Sequence, residues 1–101
     1  MDDEHIVLNV HLEAVVGREQ DLERELRALL APTRSELGCL AYELHRDPEH
    51  PGRFMFYEKF KSQAALDEHV NSPYFKKFLK YRETKGDPVA ITTVTRWRRV
   101  D

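Results

Sequence analysis

Cysteine is nearly absent: Cys39 is alone among 101 residues. A single thiol excludes an intramolecular disulfide and a thiolate metal cage. Its setting, Gly38-Cys39-Leu40, reads as the buried start of a strand and lacks the cationic neighbours that activate a thiol. Long apolar runs are lacking too, so no segment is expected to span a bilayer. Charge of one sign is also missing. Sixteen Lys and Arg face eighteen Asp and Glu, and a net charge of −2 gives no general attraction to nucleic acid or an anionic membrane. The four glycines are scattered, with no phosphate loop or dinucleotide fingerprint, so no nucleotide cofactor is expected. The acidic start Met1-Asp2-Asp3-Glu4-His5 leads straight into a strand pattern. That is unlike a secretory leader, and a cytoplasmic setting is expected.

What is present fits one domain over residues 1–101, with a core spanning about 5–99. Ile6, Leu8, Val10, Leu12 and Ala14 alternate as in a first strand. Gly17 opens a helix whose apolar stripe is Leu22, Leu26, Leu29 and Leu30, with Glu23 and Arg27 paired on its exposed side. Pro32 bends or ends that helix, and Gly38 closes the segment. Residues 39–46 and 54–61 form two strands around the turn Asp47-Pro48-Glu49-His50-Pro51-Gly52, which makes them a hairpin. Ser62 caps a helix through Val70, and Ser72-Pro73 starts another with the stripe Phe75, Phe78 and Leu79. Gly86-Asp87-Pro88 breaks it before a last strand over 89–99.

The order β-α-β-β-α-α-β predicts an α+β fold, a ferredoxin-like split βαβ with a four-stranded antiparallel sheet. The strands are apolar on both sides. Phe54, Phe56 and Phe60 point one way and Met55 and Tyr57 the other; Ile91 and Trp97 oppose Ala90 and Val94. Helices cover one face only, so the second is expected to pack on another sheet and make a homodimer.

Two polar residues sit at unusual places. His69 shares the buried side of its helix with Leu66 and Val70, where a core histidine with one hydrogen bond is the ordinary alternative to a base. Glu58 shares the face of Phe54, Phe56 and Phe60, where an unpaired carboxylate is costly. It should therefore have a partner, either His69 or an Arg or Lys at the helix ends. Tyr42, Phe56, Tyr74, Phe75 and Phe78 could line a pocket for a flat aromatic substrate, though most must also serve as core. His5, His11, His45 and His50 show no metal-ligand spacing, so no metal is assigned. In Arg96-Trp97-Arg98-Arg99 alternation predicts a buried Trp97 on an exposed edge, not a nucleic-acid patch.

The runs Cys39-Leu40-Ala41-Tyr42-Glu43-Leu44, Phe56-Tyr57-Glu58 and His69-Val70-Asn71-Ser72-Pro73-Tyr74-Phe75 resemble the antibiotic biosynthesis monooxygenase domain family over nearly the whole chain. The resemblance implies a dimeric α+β barrel of two four-stranded sheets. It also implies oxidation of a small aromatic or quinol-like compound by O2 without flavin or metal. His69 would be the base, oriented by Glu58, with no cofactor, and no nucleic acid or membrane partner. An asparagine on the first strand often serves in the family, here Asn9, although alternation turns it to the face of Val7 and His11. The family also holds haem-degrading enzymes, but Leu79 and His69 occupy the positions of their haem ligand and tryptophan. An isomerase of a phosphorylated metabolite, with Arg46, Arg53 or Arg82 near the phosphate, and a non-catalytic small-molecule-binding dimer are the alternatives.

Overall fold

A computed structural model describes residues 4–101; the acidic Met1-Asp2-Asp3 start of the expected leaderless N-terminus lies outside them. Strand β1 (Ile6–Ala14) is followed by helices α1 (Glu19–Arg27) and α2 (Leu30–Arg34). The hairpin β2 (Cys39–Asp47) and β3 (His50–Phe60), helices α3 (Gln63–Val70) and α4 (Pro73–Thr84), and strand β4 (Val89–Trp97) complete the chain. One antiparallel sheet runs in the order β2-β3-β1-β4, the split βαβ arrangement expected from the element order.

The break between α1 and α2 follows from Pro32. It tolerates a first turn, where its missing N–H has no helical acceptor, but not the interior of one long helix. The stripe is as patterned: Leu22 and Leu26 are fully buried and Leu29 nearly so. Arg27 Nε donates to Glu23 Oε2 at 2.7 Å on the outer side. The hairpin turn is tighter than its residue chemistry suggests, because β3 already begins at His50. Pro51 fits there beside the register shift at Arg46/Asp47, where a strand does not need its N–H.

Both serine caps form. Ser62 Oγ accepts from the Ala65 amide at 3.2 Å, and Ser72 Oγ from the Phe75 amide at 3.3 Å, with Pro73 at the first helical position. The stripe of α4 is corrected at its end. Phe78 is buried and Leu79 is 40% exposed, because the next inward position is Arg82, whose guanidinium lies over the Phe78 ring, 5.9 Å from its centre.

Ile6, Leu8, Leu12, Tyr42, Phe54, Phe56 and Phe60 build the core between sheet and helices. The opposite face carries Val7, Asn9, Met55 and Tyr57, half-buried at most, with no helix over it. Trp97 is corrected here. It pairs with Val7 on that open face and is 55% exposed, since nothing among the described residues covers it. Strand β4 is an edge and is mostly exposed on both sides.

Candidate functional site

The last turn of α3, the start of α4 and the centre of the hairpin converge on His69. Ser72 fixes the end of α3: its Oγ donates to the His69 carbonyl at 2.6 Å while accepting from α4. The His69 side chain is 2% exposed and lies among three aromatic rings, Phe75 at 5.0 Å, Phe60 at 5.1 Å and Tyr42 at 5.4 Å between centroids.

Its partner is a carboxylate, but not the expected one. Nδ1 of His69 stands 3.0 Å from Oε2 of Glu36, in the turn after α2, and Tyr74 donates its hydroxyl to the same oxygen. Glu36 was missed because its local sequence, Ser35-Glu36-Leu37-Gly38, reads as an ordinary polar turn. The available signal was Gly38. A Cβ there would overlap that of Ala65, so the glycine lets the turn close on α3, the helix that bears His69.

Glu58 is buried at the centre of β3, opposite Leu8 and Tyr42, on the same face as Phe56 and Phe60. No hydrogen-bond or cationic partner reaches it among the described residues, which corrects both expected pairings. Burial first, then the charge of Glu36, pushes its carboxyl up to about 7, so it keeps its proton far more readily than an ordinary carboxylate. Burial likewise raises the Tyr42 phenol, with Glu58 second, and burial followed by the bond to Glu36 holds Tyr74 up at about 12. The Cys39 thiol is raised by burial and then by Glu36, the opposite of an activated nucleophile.

The structure therefore gathers His69, Glu36, Tyr74, Phe75, Phe60 and Tyr42, with Glu58 on the adjoining sheet position. Tyr42, Phe56 and Phe78 are core residues; Tyr42 stacks on Phe56 at 4.7 Å between centroids. Tyr74 and Phe75 are partly exposed and form the outer part of the cluster. Asn9 is not brought to it. Its Nδ2 lies 3.8 Å from Met55 Sδ on the open face.

The arginines considered for phosphate already hold carboxylates. Arg46 pairs with Glu23 and lies 5.2 Å from the centre of the Phe54 ring. Arg53 is 3.3 Å from Asp47, and Arg82 makes two 3.0 Å bonds to Asp87. Arg46 and Arg53 line a cleft of about 370 Å³ with His11 and Met55, toward the hairpin end and open face. Among the described residues no three metal-ligating side chains gather, and no helix is long and apolar enough to cross a membrane.

Comparison with known proteins places the chain in a family. The family model "Antibiotic biosynthesis monooxygenase" matches residues 5–81. A Mycobacterium tuberculosis protein named "Putative monooxygenase Rv0793" is 38% identical over 92 aligned residues, which cover 80% of this chain and 87% of that protein. A Synechocystis protein without assigned activity is 30% identical over 78 residues, but the match spans 53% of its length. Among solved structures, PA3566 from Pseudomonas aeruginosa superposes with a TM-score of 0.90 at 34% identity, covering 97% of this chain and 96% of that one. The Rv0793 structure superposes with a TM-score of 0.83 at 28% identity, covering 96% of each chain. In family model, sequence and fold alike, the chain belongs to the antibiotic biosynthesis monooxygenase family.

Proposed function

We propose that the protein is a homodimeric, cofactor-independent monooxygenase of a small aromatic or quinol-like compound, with His69 as the base. One observation carries the reading. A buried imidazole stands among three aromatic rings with Nδ1 on a carboxylate, and Nε2 has no hydrogen-bond partner among the described residues. A ring so held can take a proton from a phenol that stacks near Phe75 and Tyr74.

The chemistry needs little more. Removal of the phenolic proton gives an electron-rich anion, which passes one electron to O2. Recombination of the two radicals forms a C–O bond, and the imidazolium returns its proton to give a hydroperoxide. Where that carbon carries a second hydrogen, loss of water leaves a carbonyl. The substrate supplies all four electrons, one oxygen atom enters the product and the other leaves as water, so no external reductant is required.

The test is oxygen uptake by the metal-stripped protein across hydroquinones, naphthalenediols and anthrones, beside His69→Ala and a heat-denatured control. The expected result is uptake above autoxidation that falls by about 10²- to 10⁴-fold in His69→Ala. Equal uptake by the variant would overturn the assignment of the base. Ligand binding without uptake would turn the reading to a binding dimer. The isomerase alternative gains no support from Arg46, Arg53 and Arg82, each engaged by a carboxylate.

A further inference from the structure

We propose that Glu36 is the positioning residue of this site, holding the Nδ1–H of His69 on its Oε2 so that Nε2 is the nitrogen left to accept a proton, with Tyr74 locking the carboxylate in that pose. The inference rests on the reading of His69 as base, and it adds the residue that decides which face of the ring is basic.

An imidazole in its neutral form has one donor and one acceptor nitrogen, and the partner of one fixes the role of the other. An ionised carboxylate accepts only, so Glu36 selects the Nδ1–H tautomer. Tyr74 donates to the same oxygen, so Oε2 receives both the ring N–H and the phenol hydroxyl and the carboxylate is held from two sides. The other oxygen, Oε1, is buried without a hydrogen-bond partner, so the two bonds on Oε2 are what hold the carboxylate.

The backbone around Glu36 is fixed at both ends. Its amide donates to the Thr33 carbonyl at 3.0 Å, and its carbonyl accepts from the Cys39 amide at 3.1 Å. The Lys61 amide donates to the Gly38 carbonyl at 2.8 Å, tying the turn to the end of β3. Gly38 also rests against Ala65, one helical turn from His69 on α3. Donor and acceptor are thus carried by elements that cannot shift independently.

The experiment is ¹⁵N NMR of the histidine-labelled protein under conditions where the ring is neutral, with His69→Gln identifying the His69 signals. The expected pattern is a protonated, pyrrole-like Nδ1 and a pyridine-like Nε2. In Glu36→Ala the proton should move to Nε2, whereas Tyr74→Phe should keep it on Nδ1. A pyridine-like Nδ1 in the unaltered protein, or an unchanged tautomer in Glu36→Ala, overturns the proposal. The unaltered protein decides this even if Glu36→Ala fails to fold.

With a substrate in hand, Glu36→Ala should lower kcat by about 10- to 100-fold while KM changes little. An unchanged kcat overturns the positioning role. The two readings fail separately. The expected tautomer with His69-independent turnover sinks the base and leaves the ring geometry. The reversed tautomer with His69-dependent turnover sinks Glu36 and leaves the base.

Discussion

The two faces of one sheet differ sharply in how they treat polarity. On the helix-covered face Phe54, Phe56 and Phe60 are at most 3% exposed, and two titratable groups, Glu58 and His69, are sealed among them. On the open face Ile91 and Trp97 are each 55% exposed, beside His11, Glu13 and His45. The first face spends burial on charge, and the second leaves apolar surface in water. Each is expensive for a small domain, and each cost has a different remedy. Packing and hydrogen bonds within the chain can hold His69. Only a second surface can cover Trp97, and a second copy of this sheet is the occupant we propose.

Replacing both Ile91 and Trp97 by glutamate breaks the comparison most directly. Two buried anchors at an interface are worth about 2 kcal/mol or more apiece, so the dimer should weaken at least about a thousandfold. Sedimentation velocity would then show a monomer with the unaltered circular dichroism of a folded domain. A mass unchanged from that of the parent protein would remove the open face from the assembly. The same substitutions on the covered face would unfold the chain, because there the core is its own.

Glu58→Gln sharpens the contrast from the other side. The folded carboxyl titrates at about 7 against an unfolded value of 4.5, so the native state binds the extra proton. Stability is therefore highest below about 4.5, falls as pH rises toward 7, and is flat above it as far as this group is concerned. The full loss is roughly 3 kcal/mol. Glutamine carries no such titration. Urea unfolding at pH 5 and pH 8 should show a fall in the parent protein that is largely absent in Glu58→Gln. Parallel slopes in the two proteins would show that Glu58 has a partner in solution.

Much of the covered face was legible from the sequence because its determinants are local. The alternation in β1 and β3, the leucine stripe of α1 and the serine caps at Ser62 and Ser72 are each set within a few residues. Residue spacing also places His69 inside and Asn9 on the open face, although Val70, expected beside His69 on the buried side, is 38% exposed. What failed was the pairing of charges. Polarity on an apolar face offers Glu58 either His69 or a cation at the helix ends as partner, but the histidine bonds Glu36, thirty-three residues away and in a turn. Such a contact depends on how α2 and α3 approach, which no periodicity records. Trp97 failed for a related reason: alternation sorts residues into faces but does not say which face is covered.

The smallest effect tests the joint that carries the site. Ser72 caps α4 through its bond from the Phe75 amide, and its own proton goes to the His69 carbonyl at the end of α3. The hydroxyl thus ties together the two helices that supply His69 and Tyr74. Ser72→Ala removes a cap worth about 1 kcal/mol. It also leaves the partly buried Phe75 amide without that acceptor. The expected outcome is a loss of about 1 kcal/mol in urea unfolding, with the domain intact. Because α3 is also held to the sheet side by the rings around His69, the Nδ1–Glu36 bond should survive, and the ¹⁵N signals of His69 should keep their order. Ser72→Gly should cost less than alanine, since glycine is itself a tolerated cap. Equal losses in the two variants would show that the bond to the His69 carbonyl, not the cap, is what the serine contributes. A scrambled tautomer at a cost of only about 1 kcal/mol would mean that the covered face holds its histidine through this joint and not through its core.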